Sequence, residues 1–157
     1  MPTDLDAAAA RVEEAFAEAP RPGNADLLHP ACSDDMDIEH LYAVSSWRDL
    51  GDRDVIGGYA ALAFLSPAGF RHFVPAYLRW VLRHPDSAEA VVDSTVWAFH
   101  AEMYDRSLRP FVRSKWELLD GPQRDAVSAF LEAMTPHHED ADATLAAWRT
   151  WCSGCHT

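Results

Sequence analysis

Apolar residues recur at every third or fourth position along most of the chain, which is the spacing of one face of an α-helix. Near the N-terminus this spacing is kept by Leu5, Ala9, Val12 and Phe16. It predicts a first helix over residues 4–19, with Thr3 as its cap and Asp6 in the capping-box position. The Pro-Arg-Pro-Gly sequence at residues 20–23 should end this helix, because proline cannot continue the backbone hydrogen-bond pattern.

The longest amphipathic pattern follows Ser66 and Pro67, which together are a typical helix start. Its apolar face consists of Phe70, Phe73, Val74, Tyr77, Leu78, Val81 and Leu82. Pro75 is expected to kink this helix. The apolar run just before it, residues 59–65, fits either a short buried strand or the start of a helix, because periodicity does not separate the two.

Further helical patterns cover residues 36–44, 86–104, 111–119 and 140–151. Another helix should begin after Asp120, which has Gln123 in the capping-box position, and end near residue 134. Residues 51–58 are predicted as a charged turn. The sequence therefore predicts a mainly α protein, a single-domain irregular bundle of five to seven helices with at most a minor strand near 59–65. One core should contain Phe70, Phe73, Tyr77, Trp97, Phe130 and Trp148.

Composition and charge narrow the function classes. A chain of 157 residues suits one domain, here 1–157. The formal net charge is −12, from 13 basic and 25 acidic residues. Such a surface repels nucleic-acid phosphates and anionic membranes, so neither is an expected partner. The charge serves solubility or favours a basic protein partner.

The N-terminal sequence has no basic stretch followed by an apolar one, and residues 59–65 are too few to cross a bilayer. We therefore expect a cytoplasmic protein. In that compartment the three cysteines should be reduced and form no disulfide.

Two stretches, residues 62–82 and 123–134, together with Phe16 and the Arg21-Pro22 pair, resemble a family of small uncharacterised bacterial proteins, a domain of unknown function. The resemblance covers roughly residues 10–134 and implies a fold type without an activity. Members of this family often carry a Cys-x-x-Cys sequence just after the Arg-Pro pair. Here Cys32 matches the first cysteine, and Asp35 stands where the second would be. Residues 137–157 are predicted as a C-terminal extension specific to this protein.

The C-terminal Cys152-Ser-Gly-Cys155-His156 sequence carries the most suggestive chemistry. Two thiolates at this spacing can hold half of a tetrahedral zinc site, and His29 and Cys32 share the spacing. The zinc ligands we predict are therefore Cys152, Cys155, Cys32 and His29, with His40 and His156 as substitutes. The alternatives are an ordinary tail with two thiols and, from the Cys-x-x-Cys-His pattern, attachment of c-type haem.

An enzymatic function is suggested by His100 and Glu102. Together with the C-terminal cysteines, they match parts of the sequence pattern of zinc deaminases. In those enzymes a glutamate acts as the general acid and base. No phosphate-binding loop or nucleophile motif accompanies them. The leading prediction is thus a non-enzymatic acidic binding protein, of the antitoxin or immunity type, that binds a basic protein. The alternative is a zinc-dependent enzyme, deaminase-like or hydrolytic, with Glu102 as its catalytic group.

Overall fold

A computed structural model describes residues 3–154. Within these residues the backbone forms helices and no strand, which confirms the mainly α prediction. The seven α-helices are α1 (Asp4–Ala15), α2 (Asp52–Gly57), α3 (Pro67–Arg83), α4 (Ala90–Trp97), α5 (Arg109–Ser114), α6 (Gly121–Met134) and α7 (Ala141–Gly154). Short 3-10 helices lie between them at Asn24–Asp26, Met36–Ala43, Trp47–Asp49, Ala61–Ala63, Ala101–Met103 and Arg106–Leu108.

Helix α3 lies at the centre of the bundle. It contacts α1, α2, α4 and α6, while α7 packs against α6 and α4. Because neighbours surround it, most of its side chains are buried, including His72 and Pro75. The predicted core is confirmed for Phe70, Phe73, Tyr77, Phe130 and Trp148, each with no exposed surface. Trp97 is half-buried at the edge of this core, where its indole N–H donates to a carboxylate oxygen of Asp140 at 2.9 Å.

Three helix starts were predicted from capping residues, and all three are confirmed. The Thr3 and Asp6 side chains form a reciprocal capping box at α1. Ser66 Oγ accepts a hydrogen bond from the backbone N–H of Gly69 at the start of α3. At α6, Asp120 and Gln123 form a second capping box.

Several helix boundaries differ from the prediction. Helix α1 ends at Ala15 instead of residue 19, and α4 ends at Trp97 instead of residue 104. In both cases a side chain from another part of the chain donates to a carbonyl that a longer helix would use: Gln123 Nε2 donates to the Ala15 carbonyl, and the Trp116 indole N–H donates to the Ala98 carbonyl. These distant contacts compete with continuation of the helix.

Two other segments also differ. The helix predicted over residues 111–119 instead spans Arg109–Ser114, and Pro110 fits its first turn because a first-turn residue needs no N–H donor. Residues predicted as a charged turn contain the short helix α2. The minor strand considered near residues 59–65 is absent from the described structure, where Ala61–Ala63 form a 3-10 helix and one isolated bridge joins Leu65 to Leu28.

Among the described residues, every helix is too short or too polar to span a lipid bilayer.

Candidate functional site

A pocket of about 530 Å³ opens between the 3-10 helix Ala61–Ala63, the end of α4, and α5. Its lining is almost entirely apolar. The buried side chains of Leu62, Phe70 and Val112 contribute to the wall. Tyr59 and Leu108, which also line the pocket, are 47% and 48% exposed. The pocket therefore joins the buried core to an exposed apolar edge, which soluble proteins often use for binding.

Lys115 is the one charged residue in the wall of this pocket. It follows the last residue of α5 and is only 4% exposed. Its ammonium nitrogen lies 3.7 Å from the centroid of the Phe111 ring, a cation–π contact. None of the ion pairs between described residues includes Lys115. Burial disfavours the charged form and lowers the pKa of Lys115 to about 8, although a Cys32 thiolate would oppose this shift.

Hydrogen bonds fix the position of α5 beside the loop that carries Cys32. The Ser114 hydroxyl donates to the Phe111 carbonyl at 2.6 Å. The proton of Ser114 is thereby used, so His29 Nε2–H donates to Ser114 Oγ at 3.0 Å. His29 Nδ1 accepts from the backbone N–H of Ala31 at 3.0 Å. This chain of bonds places Cys32 in the pocket wall.

The same bonds bear on His29 as a predicted zinc ligand. Both ring nitrogens are engaged, and the imidazole packs on Phe111 with 4.5 Å between the ring centroids. Burial, and then the nearby Lys115 charge, lower the pKa of His29, while Glu117 opposes them. The histidine is therefore neutral at pH 7. A metal ion at His29 would have to replace one of its two hydrogen bonds.

The other predicted zinc ligands are spread over the fold. Cys152 is half-buried in the last turn of α7. Cys155 and His156 lie outside the described residues. His40 Nε2 lies 3.4 Å from the Tyr77 hydroxyl oxygen. Within residues 3–154, no group of three or more His, Cys, Asp or Glu side chains is placed to hold a metal ion.

The residues of the enzyme alternative have other partners. His100 was expected inside a helix, but it precedes the 3-10 helix Ala101–Met103, and its Nδ1 lies 3.3 Å from Thr144 Oγ1. Glu102 is exposed and forms an ion pair with Arg113. Burial alone would raise the pKa of Glu102, but its own backbone N–H, Arg113 and His100 lower it overall. A general acid at neutral pH needs a raised carboxyl pKa, so this environment does not favour that role.

Lys115 was missed by sequence reasoning, although the sequence contains a signal for it. It is the only lysine in the chain, and the other twelve basic residues are arginine. An arginine side chain stays charged in proteins, whereas a buried lysine can lose its proton. Apart from the histidines, Lys115 is therefore the only basic side chain that can become neutral near physiological pH, and it lies in the pocket.

The fold and the pocket define a small all-helical protein with a ligand-sized apolar site that contains a buried amine. A model for a family of unknown function (DUF6714) matches residues 4–153. The chain belongs to this family, and the match extends beyond residues 10–134 at both ends. No curated protein and no solved structure matches it.

Proposed function

We propose that the protein binds a small, mainly apolar molecule in this pocket, with an oxygen of the ligand at Lys115. The observation that carries the proposal is a buried ammonium group in an otherwise apolar cavity. A buried charge without an ionic partner is costly, and an oxygen acceptor on a ligand would reduce that cost. The ammonium group can only donate hydrogen bonds, so the ligand must present an acceptor, such as a carbonyl or carboxylate oxygen.

The dimensions support a ligand rather than a packing defect. A volume of about 530 Å³ lies within the usual range of small-molecule pockets, roughly 300–1,000 Å³. Small side chains lie on the wall at Ala31, Ala60, Ala63 and Ala98. They leave room for a ligand, while the exposed Tyr59 and Leu108 can cover its outer end.

A blocked pocket tests the proposal. Ala63 is exposed and lines the pocket, so Ala63→Trp should fill the cavity without disturbing the core. Ala143→Trp, on the exposed face of α7 and away from the pocket, is the matched control. The measurement is fluorescence titration with an anionic naphthalene dye. We expect the wild type and Ala143→Trp to bind with equal affinity and Ala63→Trp at least about tenfold more weakly, a loss of about 1.4 kcal/mol. Equal binding by all three proteins would refute the proposal.

The charge favours a second candidate, binding to a basic protein in the manner of an antitoxin or immunity protein. Of the 25 acidic residues, four form ion pairs with arginine in the part of the chain that the structure describes, and two contact a histidine that is charged only when protonated. The four are Glu13, Glu102, Asp120 and Glu132, and the other two are Asp86 and Asp93. Most carboxylates are thus left to attract a cationic surface. The association rate with a captured partner should fall as salt rises. A tight complex whose association rate ignores ionic strength would contradict this candidate.

A further inference from the structure

We propose that Lys115 is a nucleophilic amine, and that the pocket takes apolar aldehydes or ketones which condense reversibly with Lys115 to form a Schiff base. This inference rests on the proposed function, because the carbonyl compound must first bind in the pocket. It adds a chemical class of ligand and a covalent step at one named atom, the Nζ of Lys115.

The position of the amine carries the inference. Lys115 is the only lysine among 13 basic residues, and it is the charged residue that lines the pocket. Its side chain is held against the Phe111 ring and has no ionic partner among the described residues. An amine whose only role was to carry surface charge would gain nothing from burial, and arginine supplies that role everywhere else in this chain.

The protonation state agrees with this geometry. With a pKa of about 8, about a tenth of the Lys115 side chains are neutral at pH 7. For a solvated lysine the neutral fraction would be roughly 300-fold smaller. The titratable neighbours are Cys32, whose thiolate would raise the amine pKa, and His29, which is neutral at pH 7. Tyr104 also lines the pocket, and burial raises the pKa of its phenol, so it adds no negative charge.

The condensation needs no oxidant or metal. The lone pair of neutral Nζ attacks the carbonyl carbon, and the carbonyl π electrons move to oxygen, which gains a proton as nitrogen loses one. The resulting carbinolamine then loses its hydroxyl group together with the remaining N–H proton as water, while a C=N bond forms. Desolvated lysines are known nucleophiles of this type. The apolar wall favours release of the water and limits hydrolysis of the imine by solvent.

The wall also selects the ligand. Its lining is apolar apart from Lys115, the Cys32 thiol and a few hydroxyl groups, so a sugar-like aldehyde would lose hydration without gaining hydrogen bonds. An alkyl or aryl aldehyde instead gains binding free energy in proportion to the apolar surface that it buries. Apolar carbonyl compounds should therefore react at Lys115, and small hydroxylated ones should not.

Trapping with a reducing agent tests this directly. The full chain is incubated at pH 7.5 with octanal and cyanoborohydride, and glycolaldehyde serves as the polar control. Reduction of the imine adds the mass of octanal less one oxygen atom, which intact mass spectrometry detects. Because the chain has one lysine, peptide mapping need only distinguish Lys115 from the N-terminal amine. We expect octanal to modify Lys115 at least about tenfold faster than the N-terminus. Glycolaldehyde should show no such preference.

Three variants separate chemistry from binding. Lys115→Met should lose the adduct and still bind the naphthalene dye through apolar contacts. Lys115→Arg keeps the charge but has no comparable nucleophile, so it should also lose the adduct. Ala63→Trp should lose the Lys115 adduct while its N-terminus reacts as in the wild type. If the dye binds in the pocket but octanal does not modify Lys115 preferentially, the Schiff-base inference is wrong and the proposed function stands. If Ala63→Trp changes neither dye binding nor the Lys115 adduct, both the proposed function and the Schiff-base inference are wrong.

Discussion

The imidazole of His72 on α3 holds the Ala19 segment and the Trp47 segment together. Its Nε2 accepts a hydrogen bond from the backbone N–H of Trp47 at 3.1 Å, and its Nδ1–H donates to the Ala19 carbonyl at 2.9 Å. The two partners settle the neutral tautomer, because one nitrogen must accept and the other must donate. His72 is 5% exposed, so no water easily replaces either bond.

Replacing this side chain should therefore destabilise the protein. His72→Ala leaves a buried N–H and a buried carbonyl without partners, and each loss costs about 1–3 kcal/mol. We expect a decrease of about 2–4 kcal/mol in the free energy of unfolding, measured by urea denaturation. The control is His84→Ala, at the exposed end of the same helix, which should cost less than about 1 kcal/mol. Equal losses in the two variants would contradict the role assigned to His72.

Acid should also destabilise the fold through its histidines. Burial is the main factor that lowers the pKa of His29, His40 and His72 in the folded protein. The unfolded chain takes up protons near pH 6.5, and the folded chain only at lower pH. The contribution of these three histidines to stability is therefore complete above about pH 6.5 and is lost as the pH drops through their folded pKa values. Urea midpoints at pH 7.5 and 5.5 should show this fall, and His72→Gln should show a smaller one. A midpoint that rises towards pH 5.5 would contradict the assignment.

Gly58 permits a close approach that no other residue would allow. A Cβ atom at Gly58 would lie 2.3 Å from His40 Nε2 and 2.7 Å from the Asp54 carbonyl oxygen. Gly58→Ala should thus cost about 1–3 kcal/mol through overpacking. Gly57 is an ideal control, because a Cβ there meets nothing within 4 Å. Gly57→Ala should be neutral or slightly stabilising, since alanine restricts the unfolded chain. Thermal melts of the two variants should separate clearly, and coincident melts would refute the packing argument.

Helix starts were predictable because their signals are local. Asp120 and Gln123 lie three residues apart, and their reciprocal bonds depend on little else. The other bonds of Gln123 were not predictable. Its Oε1 also accepts from Arg71 at 3.0 Å, and its Nε2 donates to the Ala15 carbonyl at 3.2 Å. These partners lie on other helices, and periodicity within one segment carries no information about which helix packs nearby.

The pocket was not predicted either, because it depends on which distant segments pack together. In sequence, Lys115 is a polar residue of a short helical stretch and would ordinarily face water. Its burial follows from the Phe111 ring beneath it and from the His29–Ser114 bond, which brings the 29–32 loop against α5. Cys32 was predicted as a zinc ligand from its spacing to His29, and the structure places it in the wall of the apolar pocket. The residue type of Cys32 thus pointed to a functional segment, but it did not show that Lys115 lies in the same pocket.

The zinc prediction stays open to a direct measurement. A site made by His29, Cys32, Cys152 and Cys155 would be closed and structural, with no position left for a reactive water. It would also require His29 to give up one hydrogen bond. Metal content should be measured on protein purified without added zinc, in the wild type and in Cys152→Ser/Cys155→Ser. About one zinc ion per wild-type chain, lost in the double variant, is the result expected of this site. Much less than one ion, or an equal content in both proteins, would eliminate the site.

Lys115 should destabilise the unliganded protein at neutral pH, as a binding group often does when its ligand is absent. Its pKa is about 8 in the folded protein and 10.5 in the unfolded one. The charged form is therefore disfavoured by folding. At about 1.4 kcal/mol for each pKa unit, Lys115→Met should stabilise the protein at pH 7 by at most about 3 kcal/mol.

The pH dependence of the stabilisation by Lys115→Met shows whether it comes from the lowered pKa of Lys115. A lowered folded pKa means that stability is lost as pH falls through about 8 and recovered as pH rises towards 10.5. The advantage of Lys115→Met over the wild type should thus be largest below pH 8 and shrink steadily above it. Tyr77 and Tyr104 have raised pKa values through burial in both proteins, so their effects at high pH cancel in the difference. Urea denaturation of both proteins at pH 7, 8.5 and 10 measures that difference. If it stays constant across this range, burial does not lower the pKa of Lys115, and the neutral amine that the proposed Schiff-base chemistry requires is not formed near pH 7.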